Sequence, residues 1–391
     1  MIILISKRVF RLCLTASFLI YLHTFSHAAV QGRAELIIFF IVDGLRPDVI
    51  TAENTPNIFR LAREGVRFEN SHAVFPTVTR VNSAAVSTGA YPAVNGIVGN
   101  SMYASEVSAN RAFSTGDYQN LLGLDERTGG RLLFCKSWAQ RLAEMGRVPV
   151  ALSSGSTGSA LLLNHRAPQG VGMLIGGYFT PGRILAYPEA VNRAVLTRFG
   201  PAPSLEGAPN YNRKVDWITQ VLNDYVLTGV KPDVVYCWLT EPDHTQHEAG
   251  IGSPKTLEAV RNSDRNIGLV LKKLEELGNL KFKVELMAKY GVRLDYVGVF
   301  RELMVKAGLL NRRLIRRLEE SLRGLEGVTI TAKPATREED FIVIVAPVRY
   351  RRYVEETLTL LNFEEFVFPP ELPGDPHDAL KRVEEEIKRI R

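Results

Sequence analysis

The stretch "ELIIFFIVDG", residues 35–44, decides the fold. Seven apolar residues run on without alternation and end in Asp-Gly, the habit of a strand covered on both faces in a parallel sheet. "TPNIFRLAREG" (55–65) follows with apolar residues at helical spacing, Thr55 as N-cap and Gly65 as stop. The same pairing returns twice. "SWAQRLAEMG" (137–146) precedes "RVPVALSSGS" (147–156), and "VDWITQVLNDYVLTG" (215–229) precedes "KPDVVYCWLTEPD" (231–243). Helix and strand alternating in this way predict an α/β fold with a doubly wound, mostly parallel sheet. Polar sites in such sheets gather beyond the carboxyl ends of the strands. Asp43 and Asp243 each close a strand, so they belong to one site.

The chain has 391 residues, enough for one large domain or two ordinary ones, with a real core. Its net charge is +6, but the basic residues are scattered and no aromatic-studded basic stripe appears. That argues against nucleic acid as a partner. Lys7, Arg8 and Arg11 precede the apolar run "LCLTASFLIYLHTF" (12–25), and "SHAA" (26–29) offers small residues for cleavage. Residues 1–28 therefore read as a secretory signal peptide whose apolar part is short for a membrane span, with an uncleaved N-terminal anchor as the other reading. The mature protein is expected to be secreted or periplasmic, with no stable membrane insertion. Cys135 and Cys237, the cysteines beyond the signal, read as buried free thiols.

Composition shifts near Gly278. Residues 279–391 carry 40 charged side chains in 113 positions, against 50 in the first 278. The expected division is 30–278 as one α/β domain, incomplete at its end, and 279–391 as a smaller α+β tail with long charged helices.

The chemistry centres on "FPTVTRVNSAAVSTGAYPAVNGIVGN" (75–100). Thr77 and Thr79 stand before a run of small residues suited to a close-packed helix start, where N–H groups and the dipole favour an anion. A threonine hydroxyl is a poor nucleophile unless a base or a metal activates it. Asp43, Asp243 and His247 supply metal-binding oxygen and nitrogen at neighbouring strand ends. Asn100 could stabilise charge on a phosphoryl oxygen. Other readings stay open. Asp43 could merely close a turn, Thr79 could cap a helix with Thr77 as nucleophile, Asn100 could be a turn residue, and Asp243 with His247 could be a solvated helix end. His244 is an orienting or surface group; His72 and His165 are structural.

"IVDGLRPD", "FPTVTRVNS", "STGAYPAVNGIVGN", "SSGSTGSALLLN" and "TEPDHTQHEAGIGSP" come in the order seen in one family. Residues from about 35 to 278 resemble the nucleotide pyrophosphatase/phosphodiesterase branch of the alkaline phosphatase superfamily. The resemblance implies a small phosphoester substrate, hydrolysis of phosphodiester or pyrophosphate bonds, two zinc ions and a covalent threonine intermediate. By position it makes Asp43, Thr79, Asp243 and His247 metal ligands, Thr79 the nucleophile, and Asn100 the holder of a phosphoryl oxygen. Two metals about 4 Å apart activate the nucleophile and steady the leaving oxygen together. A phosphomonoesterase or phosphonate hydrolase on the same scaffold is the alternative, and a non-catalytic exported or assembly protein another.

Two departures stand out. Where nucleotide-cleaving members carry an aromatic after the nucleophile, this chain has Arg80, then Val81 in place of proline. The family also completes its metal sites with an Asp-His pair after a further strand and with a later histidine. Here the resemblance stops near Gly278, and the only later histidine, His377, matches neither. Activity is therefore expected to be impaired. The last hundred residues or so are similar to the cytoplasmic part of subunit I of archaeal-type (V/A-type) ATP synthases, which implies an unrelated tail joined to a truncated phosphodiesterase; a divergent C-terminus of the same family is the alternative.

Overall fold

The computed structural model describes residue 34 and residues 36–176, 185–203, 211–230 and 232–390. The expected signal peptide, 1–28, lies outside the described residues. The elements below belong to one unit, Ile38–Arg391, except Ile37 at the start of the first strand.

The elements that place the site come in the anticipated order. They are β1 (Ile37–Val42), α1 (Pro56–Glu64), α2 (Thr79–Thr88), β2 (Pro149–Ser153), α3 (Thr157–Leu163), β3 (Met173–Gly176) and β4 (Leu185–Tyr187). Then come α4 (Asn212–Val221), β5 (Val234–Leu239), α5 (Asp243–Ala249) and α6 (Pro254–Lys289). The sheet runs β1-β5-β2-β3-β4. β2 is parallel to both β5 and β3, and β4 closes the far edge antiparallel to β3. The expected α/β, mostly parallel sheet is present. β2 and β5 are buried along their whole length, as their unbroken apolar sequences require.

β1 has the same composition but a different setting. It stands at the sheet edge and none of its residues is fully buried; Ile37 and Phe39 remain 43% and 46% exposed. Phe39 stacks on Tyr236 of β5 at 5.1 Å. An interior-type sequence at an edge that no strand covers among the described residues is a hazard for edge-to-edge association.

Thr55 does stand at the N-cap of α1, but its side chain caps nothing. The buried Asp264 of α6 does the capping instead, accepting from the N–H groups of Asn57 (3.2 Å) and Ile58 (2.8 Å) and from Asn57 Nδ2 (2.9 Å). A carboxylate at a helix N-terminus is favourable both as acceptor and against the dipole.

Gly278, where composition shifts, lies inside the 36-residue α6. The first half of α6 buries Ala259, Val260, Ile267 and Val270; the second half sends Val284, Leu286 and Met287 into a different core. That core belongs to a second, five-stranded sheet made of β6 (Leu303–Asn311), β7 (Thr329–Pro334), β8 (Glu339–Pro347), β9 (Glu364–Glu365) and a two-residue strand, Gly298–Val299, that pairs with β6. Its order is β7-β8-β6-β9, antiparallel throughout. Alternate residues serve opposite faces. Ala307, Leu309 and Phe341 meet α6 and α9 (Pro376–Ile390), while Met304, Leu310, Ile342 and Ile344 meet two shorter helices, Ile315–Leu322 and Arg351–Leu360. Those two charged helices span only 8 and 10 residues, whereas α9 runs for 15, so the expected long charged helix is the last one. Among the described residues, no helix is long and apolar enough to cross a membrane.

Candidate active site

Backbone hydrogen bonds lock the ends of β1 and β5 together. Asp43 N–H donates to the Leu239 carbonyl at 2.9 Å, and Asp243 N–H donates to the Asp43 carbonyl at 3.1 Å. Gln246 Nε2 then donates to the Gly44 carbonyl at 2.9 Å. Gly44 is in the left-handed region, φ +73°, and a methyl there would lie 2.8 Å from Asp243 Cα. Only glycine meets both conditions.

The hydroxyl is delivered by α2. Val78 is extended and Thr79 is the first helical residue. Thr79 Oγ1 donates to Asp43 Oδ2 at 3.3 Å, and Trp238 Nε1 donates to the same oxygen at 3.2 Å. Asn100 joins from the loop after Gly99: its Oδ1 accepts the Arg80 N–H at 3.1 Å. Thr77 is exposed, two residues ahead of the helix. On α5, His247 Nε2 lies 3.6 Å from Asp243 Oδ1 across one helical turn. Asp43, Thr79, Asn100, Asp243 and His247 thus occupy one end of the sheet.

The Asp43 carboxylate is electrostatically disfavoured. Burial, and then the charge of Asp243, push the Asp43 carboxyl up to about 6, against hydrogen bonds from Trp238 and Thr79 and the charge of Arg80. Beneath them, Glu241 is fully buried. It accepts from Thr245 Oγ1 (2.7 Å), Thr245 N–H (3.1 Å) and Tyr211 N–H (2.9 Å), and burial raises its pKa. His244 stacks on Tyr211 at 3.8 Å, and burial lowers its pKa. His165 is buried, and desolvation brings it down to about 4. Cys237 is buried with its thiol pushed up to about 12, whereas Cys135 is only half-buried; both are free.

Sequence reasoning missed Trp238 and Glu241. Trp238 read as one more apolar strand residue, yet its position at the end of β5 turns an indole N–H to Asp43. Glu241 carried one signal, an acid between a buried strand and a proline.

The donor types fit divalent cations: a carboxylate with a hydroxyl at Asp43 and Thr79, a carboxylate with an imidazole at Asp243 and His247. Two facing carboxylates, one with a raised pKa, are what a cation would relieve. The number of donors falls short. Among the described residues, no three His, Cys, Asp or Glu side chains converge.

An open α/β sheet that gathers carboxylates, an imidazole and a helix-start hydroxyl beyond its strand ends is the class of protein that binds its ligand at a strand-end crevice. The chain belongs to the type I phosphodiesterase / nucleotide pyrophosphatase family, whose model matches residues 37–295, well past Gly278. It is 28% identical over 243 residues to human ectonucleotide pyrophosphatase/phosphodiesterase family member 7, covering 61% of this chain and 43% of that one. It is 27% identical over 246 residues to venom phosphodiesterase 2 of Crotalus adamanteus, covering 61% and 24%. The chain therefore spans less than half the length of these relatives. The cytoplasmic N-terminal domain of a V-ATPase subunit I overlaps 34% of this chain and 47% of that one, with 19% identity and a TM-score of 0.22. So low a score carries no argument about the tail.

Proposed function

We propose that the chain is a phosphoester hydrolase of the phosphodiesterase/nucleotide pyrophosphatase kind, acting through Thr79. The observation that carries this reading is the Thr79 Oγ1 to Asp43 Oδ2 hydrogen bond at the first residue of α2. A phosphoryl group before α2 would meet the positive end of the helix dipole and its first N–H groups other than that of Arg80, which Asn100 takes. Thr79 Oγ1 attacks phosphorus while the bond to the leaving oxygen breaks; the hydroxyl proton passes to Asp43 Oδ2, and the leaving oxygen takes a proton from solvent. Water then attacks phosphorus as the bond to Thr79 Oγ1 breaks; Asp43 returns its proton to Oγ1, the proton of the attacking water passes to solvent, and phosphate or its ester is released. Asn100 keeps its Oδ1 on the helix, which turns Nδ2 toward a non-bridging oxygen. Zinc ions held by Asp43 with Thr79 and by Asp243 with His247 would acidify the hydroxyl and neutralise charge.

Two donors per ion hold zinc weakly, so slow turnover is part of the proposal. Hydrolysis of a nitrophenyl nucleotide diester and of nitrophenyl phosphate in added zinc tests it; cleavage of neither would defeat the reading. We extend the proposal to export. The exported protein should begin at Ala29 or Val30, and an intact mass that includes Met1 would contradict this.

A further inference from the structure

We propose that Arg80 is a specificity-determining residue, whose guanidinium receives a doubly charged phosphoryl group, as in a monoester or a terminal phosphate, in preference to a singly charged diester. The inference rests on the preceding reading only in taking Thr79 to face phosphorus.

The second residue of α2 holds an arginine whose main chain is fixed by Asn100 and whose side chain is within charge range of Asp43 and Asp243. Its Nε is buried and has no hydrogen-bond partner. Among the described residues no side-chain hydrogen bond or ion pair engages the guanidinium. Asp43 and Asp243 attract it through their charge without taking up its donors. A buried donor left unmet costs free energy, and the site is shaped around this group rather than against it. Gly116 provides the room: a methyl there would lie 3.1 Å from Arg80 Cζ and 3.2 Å from Nε. The Gly116 carbonyl is itself pinned to the start of α3 by the Gly158 N–H (2.9 Å) and Thr157 Oγ1 (3.3 Å). That backbone does not yield easily.

Such a planar fork of donors next to a phosphate-accepting helix start matches two oxygens of one phosphoryl group. A monoester phosphoryl offers three charged non-bridging oxygens, one more than a diester. It can therefore satisfy Asn100 Nδ2, the helix start and the Arg80 fork together. The extra negative charge of the dianion is also what a guanidinium rewards.

Calorimetric titration of the full chain in added zinc, with inorganic phosphate and with dimethyl phosphate, tests this. Wild type should prefer inorganic phosphate. Arg80→Gln should weaken phosphate by about 10- to 100-fold, the loss of a charge-assisted contact, and leave dimethyl phosphate nearly unchanged. Arg80→Lys should restore part of the loss, and Gly116→Ala should mimic Arg80→Gln in milder form. Thermal unfolding of each variant verifies folding. Unaltered phosphate affinity in Arg80→Gln, equal losses for both ligands, or no phosphate binding by wild type would overturn the inference. Arg80-dependent phosphate binding without any turnover would defeat only the hydrolase reading. Thr79-dependent turnover of a monoester that ignores Arg80→Gln would defeat only this one.

Discussion

Asp243 donates its backbone N–H to the carbonyl of Asp43 at 3.1 Å, joining two strand ends that are two hundred residues apart in sequence. The contact sets the spacing of both carboxylates, and it depends on the left-handed glycine between them and the next turn. Gly44→Ala should therefore do more than an ordinary surface change. A non-glycine residue at that φ costs about 1–2 kcal/mol, and the methyl overlap with Asp243 adds to it. Urea unfolding should show a loss of about 2 kcal/mol or more, with weaker zinc binding. Stability within a few tenths of wild type would mean that the two ends are not held as described.

The raised pKa of Asp43 fixes the sign of a pH effect in metal-free protein. A carboxyl that titrates near 6 when folded and near 3.8 when unfolded disfavours the folded state once it ionises. Its penalty is absent below about pH 4 and complete above about pH 6. Asp43→Asn keeps an acceptor for Thr79 and Trp238, so it should stabilise the chain at pH 7.5 by about 1–3 kcal/mol and give little at pH 4. Equal stability of the two proteins at pH 7.5 would refute the electrostatic reading.

Asp264 is expected to matter for folding rather than chemistry. Its carboxylate serves two N–H groups and one side-chain amide at the start of α1. Asp264→Ala should cost about 2–4 kcal/mol, read as a lower urea midpoint with unchanged slope. Thr55→Ala, by contrast, should remove no cap. A larger loss at Thr55 than at Asp264 would reverse the assignment.

Zinc should be held loosely. With two donors at each position, dialysis against metal-free buffer should strip the protein to well below one ion per chain. Asp243→Asn should weaken what binding remains. Two retained ions per chain would mean that residues outside the four named ones complete the site.

Asp43 and Asp243 could be paired from sequence because each ends an apolar run, and the sheet type places such ends side by side. Thr79 could be proposed over Thr77 only with the family's pattern; the structure adds that Thr79 is the first residue of α2 and hydrogen-bonds Asp43, whereas Thr77 is exposed ahead of the helix. The rest was hidden by distance or by context. The α1 cap comes from 207 residues away, so a local rule chose Thr55. β6 was overlooked because Lys306 interrupts its apolar pattern, yet that lysine is buried and paired with Glu355 (3.2 Å) and Glu365 (2.9 Å). At Gly278 the composition changes while the chain remains helical, since one glycine costs a long helix only about 1 kcal/mol.

Everything proposed for the site passes through one oxygen. The most direct measurement is the rate of bis(4-nitrophenyl) phosphate cleavage in saturating zinc by wild type, Thr79→Ala and Thr77→Ala, purified side by side. The account predicts slow, zinc-dependent cleavage by wild type, most of that rate in Thr77→Ala, and only the buffer rate in Thr79→Ala. Equal rates in wild type and Thr79→Ala would contradict it.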